Sequence, residues 1–217
     1  MRLYPALMAV EPGLAFFKML GSGSGEGFSL WPDWSTYAHL SVWEDDEAYQ
    51  KWLKTAAYQE FVGKSDGFMR FELAPYLSKG TWNGKKPFVS AVETEHNSAL
   101  MAVLTRASIR KRKLISFWRN VPKVSRVISQ QNSMLFQKGV GEWPLIEQAT
   151  FSIWDHDAAM RDFAYSQAEH RKVVQKTRRL NWYKEEQFTR FKVLNWEGHW
   201  PDDKFQKLEE FKSIYAQ

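Results

Sequence analysis

Residues 148–157, QATFSIWDHD, decide the fold, because residues 37–46, YAHLSVWEDD, say nearly the same thing. Each stretch alternates up to a tryptophan, the period-two pattern of a half-buried strand, and then turns acidic. Carboxylates in Glu44-Asp45-Asp46 and Asp155-His156-Asp157 suit a helix start, where they accept from free amides and complement the helix dipole. Working outward, Gly23-Ser24-Gly25-Glu26 lies upstream of one stretch as Gly139-Val140-Gly141-Glu142 lies upstream of the other. Downstream, Arg70-Phe71 matches Arg190-Phe191, and Gly80-Thr81-Trp82 matches Gly198-His199-Trp200. The chain reads as a duplicated unit.

Periodicity predicts strands at 3–10, 26–30, 34–43 and 67–77 in the first repeat, with helices at 12–20 and 46–61. In the second it predicts strands at 100–109, 134–139, 146–154 and 186–194, with helices at 113–130, interrupted near Pro122, and 157–178. Such βαββαβ units are ferredoxin-like, and two of them pair their antiparallel sheets face to face as an α+β barrel with the helices outside. The organisation that follows is a first repeat over 1–80, a linker over 81–98, a second repeat over 99–200 and a C-terminal helix over 201–217. Duplication alone does not name a function.

Composition narrows the chemistry. The 217 residues are 44% hydrophobic and 16% aromatic, enough for a substantial folded core. No window is apolar enough for a membrane-spanning helix, and Glu11-Pro12-Gly13 interrupts the N-terminal apolar run before it resembles a secretory leader. The expected location is therefore cytoplasmic, with contact at a membrane periphery as the route to an apolar substrate. The absence of cysteine excludes disulfides, thiolate-ligated metals or haem, and a thiol nucleophile. A net charge of +5, with basic runs at 106–113 and 171–179, suits nucleic acid, an anionic membrane surface, an acidic redox partner or a propionate-bearing cofactor, and does not choose between them. Nucleic acid is disfavoured, because the basic residues fall on helices rather than across an aromatic strand surface.

Five histidines remain as nitrogen ligands. His96, His156 and His199 read as solvent-facing, and His39 lies on one strand face with Tyr37, Ser41 and Trp43. His170 shares a helical stripe with Met160, Phe163, Gln167 and Val174, directed toward the sheet, and the repeat sets it against Tyr58. An imidazole so placed, beside Arg171, Arg178 and Arg179, suits a five-coordinate haem, although a satisfied interior histidine explains the same pattern. There is no HExxH and no two-histidine carboxylate triad, so zinc and non-haem iron are disfavoured. Gly21–Gly27 lacks the following Lys-Ser or Lys-Thr of a nucleotide loop and reads as a tight connection or a cavity rim. Glu26 and Glu142, equivalent in this alignment, are expected either as strand-start partners for arginines such as Arg106 or as polar groups at the barrel mouth.

Leu20–Phe28, Leu104–Arg110, Phe117–Pro122, Gly139–Pro144, Gln148–Trp154 and Asn181–Glu186 together resemble the spheroidene monooxygenase family of carotenoid-oxygenating enzymes. The resemblance implies a haem-containing monooxygenase of the dimeric α+β barrel type. It would carry haem b, oxygenate a long apolar polyene and draw electrons from a ferredoxin-like donor. It also implies His170 as axial iron ligand, with His39 as the fallback, and Phe163 and Val174 beside the cofactor. Arg106 with Thr105 is the expected polar catalytic group, Arg179 the propionate partner and Trp182 the pocket wall. Alternatives on the same barrel are a haem lyase or peroxidase-like enzyme and a haem-free carrier of an apolar ligand. A homo-oligomer is compatible with each.

Overall fold

The computed structural model describes residues 8–25, 31–90, 100–120, 132–143, 145–166, 175, 177, 179–201 and 203–215. The second repeat contributes β4 (Met101–Ile109), the short helix α3 (Leu114–Trp118), β5 (Met134–Trp143), β6 (Glu147–Trp154), α4 (Asp157–Ser166) and β7 (Tyr183–His199). Its strands lie in the order β5-β6-β4-β7, all neighbours antiparallel, which is the ferredoxin-like arrangement. β4 is central and covered on both faces, so all but one of its residues are buried and it lacks strict alternation.

The first repeat supplies β1 (Leu14–Gly23), β2 (Pro32–Trp43), α1 (Asp46–Leu53), α2 (Ala56–Gly63) and β3 (Phe68–Gly80). Two expectations need correcting. The helix expected over 12–20 is the strand β1, whose hydrogen bonds with β2 and β5 outweigh the helix-friendly composition of LAFFKML. The single helix expected over 46–61 is two helices, because Thr55 ends one and starts the next. Its hydroxyl donates to the Trp52 carbonyl at 2.7 Å and accepts from the Tyr58 amide at 3.2 Å. The strands expected at 3–10 and 26–30 fall largely or wholly outside the described residues.

All seven strands form one continuous sheet, β2-β1-β5-β6-β4-β7-β3, rather than two separate sheets. The sheet curls into a half-barrel. Phe71 on β3 and Phe136 on β5 stand four strands apart, about 19 Å in a flat sheet, yet their rings stack with centroids 6.4 Å apart. The concave face is the main core: Phe16, Leu20, Leu104, Val140, Ile153, Phe191 and Val193 point into it. A C-terminal helix, α5 (Gln206–Tyr215), and the turn before it close that core through Leu208 and Phe205, the latter stacked on Phe136 at 4.3 Å. Trp82 and Phe88, from the stretch read as a linker, are both buried in the same core.

The duplication is visible in atomic detail. Trp43 Nε1 donates to Ser41 Oγ at 3.0 Å, and Trp154 Nε1 donates to Ser152 Oγ at 2.9 Å. Gly80 and Gly198, matched in the sequence, both have positive φ, and a Cβ on either would lie 2.1 Å from a carbonyl oxygen of the paired strand. The sheet register also corrects the glycine alignment. β1 sets Met19 against His39 and Gly21 against Tyr37, as β5 sets Gly139 against Thr150 and Gly141 against Gln148, so Gly21, and not Gly25, is the counterpart of Gly141. This removes the equivalence of Glu26 and Glu142, and the β3–β7 pairing, which repeats itself at the spacing of Gly80 and Gly198, likewise sets Arg70 against Phe188 and Arg190 against Glu72 rather than against each other.

Candidate functional site

Each repeat presents an outer sheet face to its own helices, and the two faces differ in bulk. In the first repeat the face carries Phe17, Met19, His39 and Trp43 under α1 and α2, packed with Trp52, Tyr58 and Phe61. His39 lies 5.5 Å from the Trp52 ring and 6.2 Å from the Phe61 ring, centroid to centroid. Burial brings its pKa down to about 4, so the imidazole is neutral at neutral pH.

In the second repeat the register puts Gln137 where Phe17 stands, Gly139 where Met19 stands and Thr150 where His39 stands. Gly139, Thr150, Thr105 and Phe188 form one row across four strands. The next row is Gln137, Ser152, Val103 and Arg190. Val103 packs with Met101, Met134, Trp154, Phe188 and Met160 of α4, so the helix covers this same face. Arg190 is 5% exposed, lies 5.5 Å from the Phe188 ring and hydrogen-bonds Tyr76. The Tyr76 hydroxyl also donates to Asp157 at the start of α4 at 3.1 Å. Burial and the Asp157 charge push Tyr76 up to about 12. Among the described residues the result is a partly buried wall of mostly small and polar side chains, with the Arg190 guanidinium at one side.

Arg106 and Thr105 do not share a pocket. Adjacent strand residues point to opposite faces, so Thr105 lines the outer wall while Arg106, 1% exposed, points into the barrel. There the guanidinium hydrogen-bonds Glu147 and Glu185, donates to Asn83 Oδ1 at 3.1 Å, stands 3.8 Å from Glu142 and lies 5.4 Å from the Trp82 ring. Glu142 in turn accepts from Lys18 at 2.5 Å and from Trp82 Nε1 at 2.6 Å, so it stands near Arg106 as one of the two expected roles had it, but from the end of β5 rather than from a strand start. Burial alone would raise Glu185. The Gly84 amide, Thr81 hydroxyl, Arg106 guanidinium and Asn83 amide outweigh burial and bring its pKa to about 2. Arg106 is therefore the hub of an ionic plug at one end of the barrel, with its charge matched by carboxylates. The catalytic role expected for it is not supported by this geometry. Glu147 and Glu185 were missed in the sequence, although their positions at the ends of β6 and β7 are legible in the strand alternation.

Trp182 is buried, but in a satellite cluster with Ile109 and Phe117, and its indole donates to Ser116 at 3.1 Å. Arg179 is exposed. His156 and His199 are exposed, as expected, with His156 Nδ1 2.6 Å from Asp155 and His199 Nε2 3.1 Å from the Asp66 carbonyl. Phe163 belongs to α4, while His96, His170 and Val174 lie outside the described residues. Among the described residues no three His, Asp or Glu side chains converge on a metal site, and no helix is long and apolar enough to cross a membrane.

No protein-family model matches the chain. It is 36% identical over 191 residues to spheroidene monooxygenase from Cereibacter sphaeroides, covering 87% of this chain and 59% of that protein. It is 34% identical over 193 residues to the protein of the same name from Rhodobacter capsulatus, covering 88% of this chain and 80% of the relative. For the Rubrivivax gelatinosus protein of that name the identity is 31% over 191 residues, with 88% and 73% covered. The chain thus spans between about three fifths and four fifths of the length of these relatives. In structure it is similar to an aldoxime dehydratase, with a TM-score of 0.53, 12% identity, and coverage of 89% of this chain and 75% of that one, a likeness of fold. At these identities and coverages the chain belongs to the spheroidene monooxygenase family.

Proposed function

We propose that this protein is a haem-dependent monooxygenase that binds haem b against the outer sheet face of the second repeat and oxygenates a long apolar, carotenoid-like substrate. The observation that carries the reading is the difference between the repeats. Where the first repeat fills its helix-sheet interface with Met19, His39 and aromatic rings, the second has Gly139, Thr150 and Thr105. A flat cofactor needs such a wall, with side chains short enough to let a ring system lie parallel to the sheet. The described residues fit the group in two respects, a row of small side chains and apolar flanks at Val103 and Phe188, while Arg179, exposed, is the propionate partner that the family resemblance implies. The axial nitrogen is the sequence assignment, His170.

When bound, the haem supplies the redox chemistry that activates dioxygen, with electrons from a ferredoxin-like donor. The chain's own contribution is orientation and exclusion of water. Val103, Phe188 and Met160 dry the wall, and Thr105, Thr150 and Ser152 provide short hydroxyls at its surface. The ionic plug around Arg106 seals the barrel end on the other side of the same strands and holds β4, β6 and β7 in register.

The test is reconstitution of the purified protein with haemin, followed by turnover of an acyclic carotenoid with reduced ferredoxin. One haem per chain and oxygenated product support the reading. Haem uptake with turnover only on peroxide would replace the monooxygenase by a peroxidase-like enzyme. A chain that takes up no haem would remove the cofactor from the account.

A further inference from the structure

One end of the sheet holds large apolar side chains in solvent. β5 ends at Trp143, the β5–β6 turn presents Leu145, and Ile115 stands on the outward side of α3; Ile115 and Trp143 are 71% and 69% exposed. These groups belong to one rigid rim. Trp118, one turn along α3 from Ile115, donates its indole N–H to the Leu145 carbonyl at 3.1 Å. The Ile109 amide donates to the Ile146 carbonyl and the Arg110 amide to the Trp182 carbonyl, both at 2.8 Å. Phe117, on the inward side of α3, is buried with Ile109 and Trp182. Leu145 also takes a φ of 69°, a left-handed backbone that costs leucine more than asparagine or glycine, so neither solubility nor local conformation accounts for a leucine there.

The same rim is cationic. Arg110, Lys111, Arg112, Arg119 and Lys184 are exposed beside the apolar groups. Glu142, Glu147 and Glu185, the carboxylates of these strand ends, turn into the barrel and bond Lys18 and Arg106. Glu186 is then the one exposed carboxylate among the described residues of 107–119, 141–147 and 180–186. Apolar tips set among cations match the boundary of an anionic bilayer, where tryptophan and aliphatic side chains enter the headgroup layer and Lys and Arg meet lipid phosphates. An acidic protein would answer the charges without calling for three protruding apolar side chains.

We propose that this rim is a docking surface for an anionic membrane, with Ile115, Trp143 and Leu145 entering the headgroup boundary and the surrounding cations holding the lipid phosphates. β5 carries Gly139 and Gly141 along the outer sheet face before it reaches Trp143, so the surface adjoins the wall of the second repeat. Its use as the entry for an apolar substrate dissolved in the bilayer rests on the haem reading above; the docking itself does not.

The test is flotation of the full chain with vesicles of phosphatidylcholine, alone or mixed with phosphatidylglycerol, at low and high salt. The variants are Ile115→Ser with Trp143→Ser, Lys111→Gln with Arg112→Gln, and, as a control, Trp34→Ser, which changes a comparably exposed tryptophan on the edge strand β2. Wild type should bind the mixed vesicles and be released by salt. Each double variant should keep its melting temperature and partition about tenfold or more weakly, while Trp34→Ser binds as wild type. No binding to the mixed vesicles, or binding that both double variants retain, overturns the proposal. Binding of a purified ferredoxin that Lys111→Gln with Arg112→Gln abolishes, without vesicle binding, overturns it too and gives the rim to an acidic redox partner. Flotation needs no haem, so a chain that takes up no cofactor ends the haem reading and leaves the docking surface to be decided by the vesicles.

Discussion

Replacing Arg106 by Met tests the ionic plug. The guanidinium is almost fully buried, bonded to Glu147 and Glu185, close to Glu142 and flanked by Asn83 and Trp82. Methionine keeps the length of the stem but leaves those carboxylates facing one another, each less than a fifth exposed, with only Lys18 against Glu142. Breaking such a buried pair costs about 3–5 kcal/mol, mostly from the uncompensated charge. For a chain of this size 1 kcal/mol moves the melting temperature by roughly 2–4 °C, so the fall should be about 10 °C. The loss should be largest near neutral pH. Glu185, held at about 2 in the folded protein, contributes stability above its ordinary value of 4.5 that is lost as pH falls through the folded pKa. Removing Arg106 removes one of the groups that depress it, so acid should restore part of the deficit of Arg106→Met. Urea denaturation at pH 7 and pH 4, with Glu147→Gln and Glu185→Gln added to the Arg106→Met background, measures both arms. A deficit below about 1 kcal/mol at pH 7, or no recovery on neutralising the carboxylates, would refute the hub.

Three further outcomes are expected, each from a different part of the molecule. His39 has a folded pKa near 4, below its ordinary 6.5, so the unfolded chain binds the extra proton. Stability should therefore rise with pH between those values, by up to about 3 kcal/mol, and His39→Phe should flatten that slope in urea titrations from pH 4 to pH 7. Gly80→Ala and Gly198→Ala should each cost about 2 kcal/mol or more in thermal melts, since each adds a Cβ against a carbonyl and forces a left-handed φ; wild-type stability would contradict the matched turns. Trp182→Ala should cost about 3–5 kcal/mol by emptying the cluster with Ile109 and Phe117, without preventing haem uptake by the folded protein.

The sequence made the repeat legible because its punctuation has physical causes. Ser41-x-Trp43 and Ser152-x-Trp154 make the same hydrogen bond, and Gly80 and Gly198 occupy the same strained turn, so selection for each appears twice in the text of the chain. The strands of the second repeat were readable for the same reason that Asp157 marked the start of α4. β1 was not, because LAFFKML carries no β-branched residue and its strand character comes from partners far along the chain. The glycine-rich stretch aligned four positions out, since Gly21, Gly23 and Gly25 are equivalent as letters and only the partners of β1 on β2 and of β5 on β6 separate them. The site was half readable. Thr105 and Arg106 looked like one polar pair, but strand alternation splits them between the outer sheet face and a buried ionic hub. Arg190 looked like the repeat of Arg70, but the pairing of β3 with β7 sets it against Glu72 instead.

The central claim is that the second repeat holds a haem with His170 as its axial ligand. The most direct measurement is the absorption spectrum of purified wild type and His170→Ala after haemin loading, before and after dithionite and carbon monoxide, with iron determined on each sample. The account predicts one iron per wild-type chain and a Soret band that shifts on reduction and again with carbon monoxide, both lost or strongly altered in His170→Ala. A colourless, iron-free wild type, or a variant whose spectrum matches wild type, would contradict it.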